Sequence, residues 1–328
     1  MVNKVSPSIK KAQSSPQEPK LNVLSDVLDT LRFRGSIFFR SKLASPWGMS
    51  LQNVNKPRFH IALSGDCFIG VEPEGKTGVN DSNSKIININ HMDIVMLPKG
   101  EMHWIADKPG RKLTPSAQAG DACELGKPLF QEGEITNKLI CGIIDYDKDM
   151  LHPIIDSLPS ALHFSGINKD DPIWMSVLLI DAEMEQAQSN QTSIIDRLTE
   201  VLFLQLLNRH VKDNKEVSGF FAALRNQRIH HALELIHQSP QFEWTLDLLA
   251  EQSNMSRATL IRQFKNTVGV PPMAYILNWR MIKAHHLLKY TSKTIDQISE
   301  QVGFSTARTL SKSFRRHYGI TPSEFRRM

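Results

Sequence analysis

Apolar positions near the carboxyl end of the chain follow one pattern twice. In the first copy Leu246, Leu249 and Ala250 recur at helical spacing, Asn254-Met255 interrupts, and Leu260, Phe264 and Val268 resume at i, i+4, i+8. In the second copy Ile295, Ile298 and Val302 form the stripe, Gly303 ends it, and Leu310 and Phe314 carry the next. Thr245 aligns with Thr294 and Glu251 with Glu300. After one inserted residue Leu260 aligns with Leu310, Phe264 with Phe314, Gly269 with Gly319 and Pro272 with Pro322. Each copy predicts a short helix, a tight turn and a second helix, with Met255 as the apolar plug of the first. Ser256 and Thr306 are suited to cap the second helices, and Thr294 with Gln297 reads as a capping box.

The outward faces of the two second helices carry no acid. Arg257, Ala258, Ile261, Arg262 and Lys265 stand on the first, and Ala307, Arg308, Ser311, Lys312 and Arg315 on the second. One basic face alone is usually just a solvated face. Here it recurs at matching positions, on the helix that a helix-turn-helix unit places in the major groove of DNA. Between the copies, Pro272 to Lys289 predicts one helix with Met273, Ile276, Ile282, Leu287 and Leu288 as apolar positions, roughly 27 Å long at 1.5 Å per residue. A rod of that length can set two helices about one DNA turn, roughly 34 Å, apart. Thr321-Pro322-Ser323-Glu324 opens a last helix with a capping box and proline at its first position.

Charge sharpens this division. Residues 225–328 hold 15 Lys+Arg against 7 Asp+Glu, whereas residues 1–224 hold 24 against 27. The basic excess sits on the double repeat, as attraction to the phosphates of double-stranded DNA requires.

The preceding part has a different texture. From about Leu21 to Phe164 short β-rich runs alternate with turns: Phe59–Leu63, Cys67–Val71, Ile86–Ile89, Ile94–Leu97 and Leu139–Ile144. Gly65-Asp66 reads as a hairpin turn between the first two, and the spacing suggests a barrel or jelly roll. Two helices follow, one from Asp171-Pro172 through Glu185 and one from about Ser193 to Val211. The stretch Val201–Leu207 is apolar nearly all round, which leaves a face for a partner and predicts a homodimer built on this helix pair. The fold class is α+β, with five segments expected. These are a disordered tail (1–20), a barrel domain (21–165), a helical pairing segment (166–211), a linker (212–224) and an all-α double helix-turn-helix domain (225–328).

No apolar run approaches the ~20 residues of a membrane span, and the first 20 residues lack a secretory h-region. Three cysteines, Cys67, Cys123 and Cys141, are too few and too irregularly spaced for a disulfide framework. A cytoplasmic location is expected.

The run from Ser256 to Pro272, the linking segment Trp279–Leu288 and the stretch from Ile295 to Arg326 together resemble the AraC/XylS family of bacterial transcription regulators over about 100 residues. The resemblance implies base contacts by Ala258, Ile261 and Arg262, and by Ala307, Arg308, Ser311 and Lys312. Arg308 and Lys312 suit guanine, while Ala258 and Ile261 suit a thymine methyl. The first copy departs from the family in carrying small or apolar residues at these positions. Asp93–His103, with Pro98-Lys99-Gly100 before His103, resembles the second motif of cupins; Arg58–Phe68 stands where the first motif would lie and keeps one histidine, His60. The resemblance implies a sensor barrel that binds a small organic effector near His60, His103 and Trp104, in a regulator that can also contact RNA polymerase.

Candidate chemistry in that barrel is sparse. His60, His103 and Cys141 are of types that hold zinc or iron, but the first motif lacks its second histidine and its glutamate, so no metal or other cofactor is expected. Cys141 begins an apolar strand, where a free cysteine behaves as a small hydrophobe. Some related regulators sense oxidants, yet nothing in the sequence lowers the pKa of Cys123 or Cys141. No nucleophile–base pair stands out, and no catalytic residue is expected. The competing reading is a metal-dependent cupin enzyme fused to DNA-binding repeats.

Overall fold

The structure is a computed structural model that describes residues 23–71, 85–124, 129–147, 152–186, 192–213 and 219–328. The tail expected over 1–20 lies outside them, as does the side chain of Cys123. Helix α1 (Val23–Leu31) leads into β1 (Arg34–Ala44), β2 (Gly48–Leu51), β3 (Arg58–Ser64), β4 (Cys67–Val71), β5 (Lys85–Ile89), β6 (Ile94–Leu97), β7 (His103–Ala106) and β8 (Thr114–Pro115). After α2 (Ser116–Glu124) come β9 (Ile135–Asp145), β10 (Leu162–Phe164), α3 (Pro172–Gln186) and α4 (Thr192–Asp213). The remainder is helical: α5 (Gly219–Arg225), α6 (Gln227–Gln238), α7 (Leu246–Gln252), α8 (Arg257–Val268), α9 (Pro272–Tyr290), α10 (Ile295–Gln301), α11 (Ala307–Tyr318) and α12 (Pro322–Phe325).

The strands make two five-stranded sheets, β1-β9-β3-β6-β10 and β5-β4-β7-β2-β8, packed as a jelly-roll barrel. Alternation along the first sheet explains its nearly continuous apolar sequence. Phe59, Ile61, Ile94, Met96 and Ile140 point out to the helices, while Ala62, Val95, Leu97, Leu139 and Cys141 point into the barrel. Gly70 lies against the indole of Trp104, its partner on β7. A Cβ there would stand 2.1 Å from the ring, so only glycine lets the tryptophan lie flat on the strand.

Two sequence expectations are corrected and one element is added. Gly65-Asp66 is not a hairpin: β3 and β4 belong to opposite sheets, and the chain crosses between them here. The sequence reading named no helix ahead of the strands of 21–165, where Val23, Leu24, Val27, Leu28 and Leu31 bury one face of α1. The segment 212–224 is not simply a linker, since Phe220 and Phe221 of α5 are fully buried and α5 packs on α8. The hydrophobic effect decides this last case, because two phenylalanines outweigh the polar residues before them.

As a result the barrel's outer helices and the first repeat share one apolar core, running from Val23 through Phe203 and Phe220 to Phe264 and Trp279. The second repeat has a separate core built from Met281, Leu288, Ile298, Val302, Leu310 and Phe314. Among the described residues no helix is long and apolar enough to cross a membrane.

Candidate nucleic-acid interface

Both repeats are built as their sequences require. Thr245 and Ser256 cap α7 and α8 by accepting from Leu248 N–H and Thr259 N–H, and Asn254 takes a left-handed turn conformation that lets Met255 plug the pair. Thr294 with Gln297, Thr306 with Thr309, and Thr321 with Glu324 form capping boxes on α10, α11 and α12. Gly269 and Gly319 end α8 and α11 at φ +90° and +80°, which is why the two copies share a glycine there. Leu260 and Phe264, like Leu310 and Phe314, are completely buried and fix the roll of each second helix.

That roll leaves the expected reading faces outward. Arg257, Ala258, Arg262 and Lys265 are exposed on α8, as are Arg308, Lys312 and Arg315 on α11; Ile261, Ala307 and Ser311 are half-buried beside them. Arg257 faces Asp247 at 3.6 Å, but both side chains are exposed, so the pair is weak and leaves the guanidinium free to move.

The spacing between the faces depends on a residue the sequence reading passed over. Arg280, midway along α9, donates to the carbonyls of Pro240 (2.7 Å), Phe242 (2.7 Å) and Gly303 (3.1 Å). It joins the loop before the first repeat to the turn of the second. Arg280, set between the apolar residues Trp279, Met281 and Ile282 of the linking helix, was the available signal.

The barrel histidines do meet. His60 on β3 and His103 on β7 come from opposite sheets, with their Nε2 atoms 2.8 Å apart. Glu101 O lies 2.7 Å from His103 Nδ1, and Cys141 Sγ lies 3.0 Å from His60 Nδ1. A carbonyl can only accept, so His103 donates from Nδ1 and accepts at Nε2. His60 then donates from Nε2 and accepts the Cys141 thiol proton at Nδ1. Every ring nitrogen is used. Burial holds His103 at a pKa of about 4, pushes His60 well below its ordinary value and pushes the Cys141 thiol up, so the chain is neutral throughout. Cys67 and Cys141 are free thiols, and burial raises Cys67 to about 12.

His60, His103 and Cys141 do not together form the three-ligand set that their residue types suggested. Cys141 and His103 sit on opposite nitrogens of the His60 ring and cannot share one ion with it. Among the described residues no group of three His, Cys, Asp or Glu is placed to hold one. Trp104 is buried on the same strand as His103, over Gly70.

A second polar chain ties the barrel side to the repeats, and the sequence reading missed it. His152 Nδ1 accepts from Ile154 N–H at 3.2 Å, and its Nε2 lies 3.2 Å from Tyr275 Oη on α9. Tyr275 in turn reaches His237 Nε2 on α6 at 2.8 Å, and His237 Nδ1 reaches Asp26 on α1 at 2.7 Å. Lys283 Nζ closes the series on Asp26 at 2.6 Å. Burial pushes the Asp26 carboxyl up, but its bonds to His237 and Lys283 outweigh this and hold it below the usual range. The apolar spacing of Val23, Leu24, Val27, Leu28 and Leu31 was the signal for α1, and hence for Asp26.

A barrel domain joined to two outward-facing basic helices defines a DNA-binding regulator. A family model described as Cupin matches residues 22–212, and one described as Helix-turn-helix domain matches 249–328. The chain is 28% identical to an "Uncharacterized HTH-type transcriptional regulator" of Haemophilus influenzae, covering 92% of this chain and 98% of that one. It is 26% identical to the HTH-type transcriptional regulator AlkR of Acinetobacter baylyi, covering 93% and 99%. With the HTH-type transcriptional activator RhaS of Escherichia coli it shares 32% identity, covering 58% and 77%. The chain belongs to the AraC/XylS family of transcription regulators, with a cupin domain ahead of its helix-turn-helix domain.

Proposed function

We propose that this regulator reads promoter DNA with both repeats, pairs as a homodimer, responds to a small effector and catalyses no reaction. The observation that carries the reading is the pair of capped, acid-free second helices, with Arg308 and Lys312 exposed on α11 and Arg262 and Lys265 on α8. Arg308 and Lys312 read guanines, Ala258 and Ile261 pack on thymine methyls, and Arg257, Lys265 and Arg315 hold phosphates. Pairing uses the face of α3 formed by Met175, Leu178 and Leu179, each about half exposed on one helical stripe. Within the helix pair expected to carry the dimer this face lies on α3, because Leu202, Phe203, Leu206 and Leu207 of α4 are spent on the chain's own core. The protein works in the cytoplasm, where it meets DNA and RNA polymerase. An effector placed at His60, His103 and Trp104 would have to part the two histidines.

Anisotropy of labelled DNA from upstream of the protein's own gene, at 50 and 200 mM salt, tests DNA reading. Affinity should fall by about 10²–10⁴ across that range if several phosphates are held, and a flat salt response would overturn the reading. Sedimentation of wild type and Leu179→Glu tests pairing. The wild type should run as a dimer and the variant as a monomer.

A further inference from the structure

A cleft of about 470 Å³ lies where three parts of the molecule meet. Pro153 and Ile155, from the segment after β9, form one wall, and Ala274 and Leu277 of α9 form the facing one. His317, in the last turn of the second recognition helix α11, closes it. The volume suits a small organic ligand. Pro153, Ile155, Val270, Ala274 and Leu277 make the apolar part of the walls, and the polar groups Tyr146, His152, Asn278 and His317 are joined by one acid, Asp156. The exposed Asp156 carboxylate stands at the mouth beside Tyr146, and among the described residues no lysine or arginine lines the space. Burial, with Asp156 and Asp145 near it, pushes the Tyr146 phenol up, as expected of a negative field. His317 Nε2 is a buried atom with no hydrogen-bond partner among the described residues. Such an atom is costly unless something fills its place.

We propose that this cleft is the effector site and that it takes a lipophilic amine. The inference rests on the ligand-responsive reading above. The apolar body lies between Ile155 and Leu277, and the ammonium faces Asp156. An anion of the same shape would face the Asp156 carboxylate with no cation among the described lining residues to offset it. The occupant touches the barrel side, the linking helix and the second recognition helix at once. It therefore binds one relative placement of these parts better than another, which is what a regulator requires. His152, whose ring is tied to Tyr275, lines the same cleft, so occupancy also bears on the polar chain that reaches Asp26.

The test uses the full-length protein with 1-naphthylmethylamine as probe and 1-naphthylacetate as its anionic counterpart, followed by calorimetry. The amine should bind at least ten-fold more tightly than the acetate. In Asp156→Asn that preference should shrink to less than three-fold, and Ala274→Trp, which fills the cleft, should weaken the amine at least ten-fold. Saturating amine should change affinity for the upstream DNA at least three-fold. Equal binding of amine and acetate, an Asp156→Asn variant that keeps the preference, or unchanged DNA affinity at saturation would each overturn the proposal. Melting temperatures accompany each variant, and Asp156→Asn, an exposed isosteric change, decides the matter should Ala274→Trp unfold. DNA binding by the unliganded protein is read separately. Its loss would remove the regulator reading, whereas DNA binding without amine binding removes this site alone.

Discussion

Arg280 in the linking helix donates to the carbonyl of Gly303, 3.1 Å away in the turn of the second repeat. With its bonds to Pro240 and Phe242 it links the loop before the first repeat to the turn of the second. Arg280→Ala should destabilise the chain by about 2–3 kcal/mol, because three carbonyls lose a charged donor. Urea unfolding measures that. The variant should also lose more affinity for a two-site DNA than for either half alone, read by anisotropy. Equal losses on both would mean that the residue supports the fold without setting spacing.

Arg308→Ala and Lys312→Ala should each cost about 1–3 kcal/mol on the specific site and leave non-specific binding little changed. Competition with scrambled DNA separates the two. If Arg308→Ala weakened all sequences equally, its guanidinium would be holding a phosphate. Phe264→Ala and Phe314→Ala belong to a different class. Each empties a fully buried position and should cost roughly 3–5 kcal/mol of stability.

The buried His103 makes stability depend on pH. Its folded-state pKa is depressed to about 4, so between the ordinary histidine value and 4 the unfolded chain takes a proton that the folded chain refuses. Stability is therefore highest above pH 6.5 and falls on acidification. From pH 7 to pH 5 this group alone should cost about 2 kcal/mol. Chemical denaturation of wild type and His103→Gln at both values checks it. The variant should show the shallower decline, and parallel curves would rule His103 out as the source.

The boundary of the DNA-binding half can be tested by truncation. A fragment beginning at residue 225 loses Phe220 and Phe221, whereas one beginning at 219 keeps α5 on α8. The longer fragment should be the more stable by several kcal/mol, since two buried aromatic side chains contribute about 2–3 kcal/mol each. Thermal melts of the two, with gel shifts at low salt, provide the readout.

The repeats were legible because local signals dominate there. Caps, turn glycines and apolar spacing all lie within a few residues of what they determine, and α7 to α12 follow them closely. The barrel was only partly legible. His60 and His103 could be named from motif spacing, but their mutual bond is set by two sheets closing on each other, which no local pattern encodes. The Gly65-Asp66 turn shows the same limit, since a turn signal does not say whether the next strand pairs with the last or leaves for another sheet. Arg280, Asp26, His152 and Tyr275 were missed for a related reason. Their partners lie on other elements, and their roles exist only once α1, α6 and α9 are packed.

The core that runs from Val23 through Phe220 to Phe264 has a consequence for how the molecule comes apart. Chain order suggests a break between barrel and repeats, yet cooperativity draws the line inside the double repeat. The first repeat is expected to melt with the barrel, because they share one set of buried side chains. The second, with Met281, Leu310 and Phe314 as its own centre, can open and reclose by itself. Amide exchange should find two rates among helices that look like copies, slow in α8 and faster in α11. The two hands that hold the DNA are thus unequal, one rigid with the body and the other free to let go first.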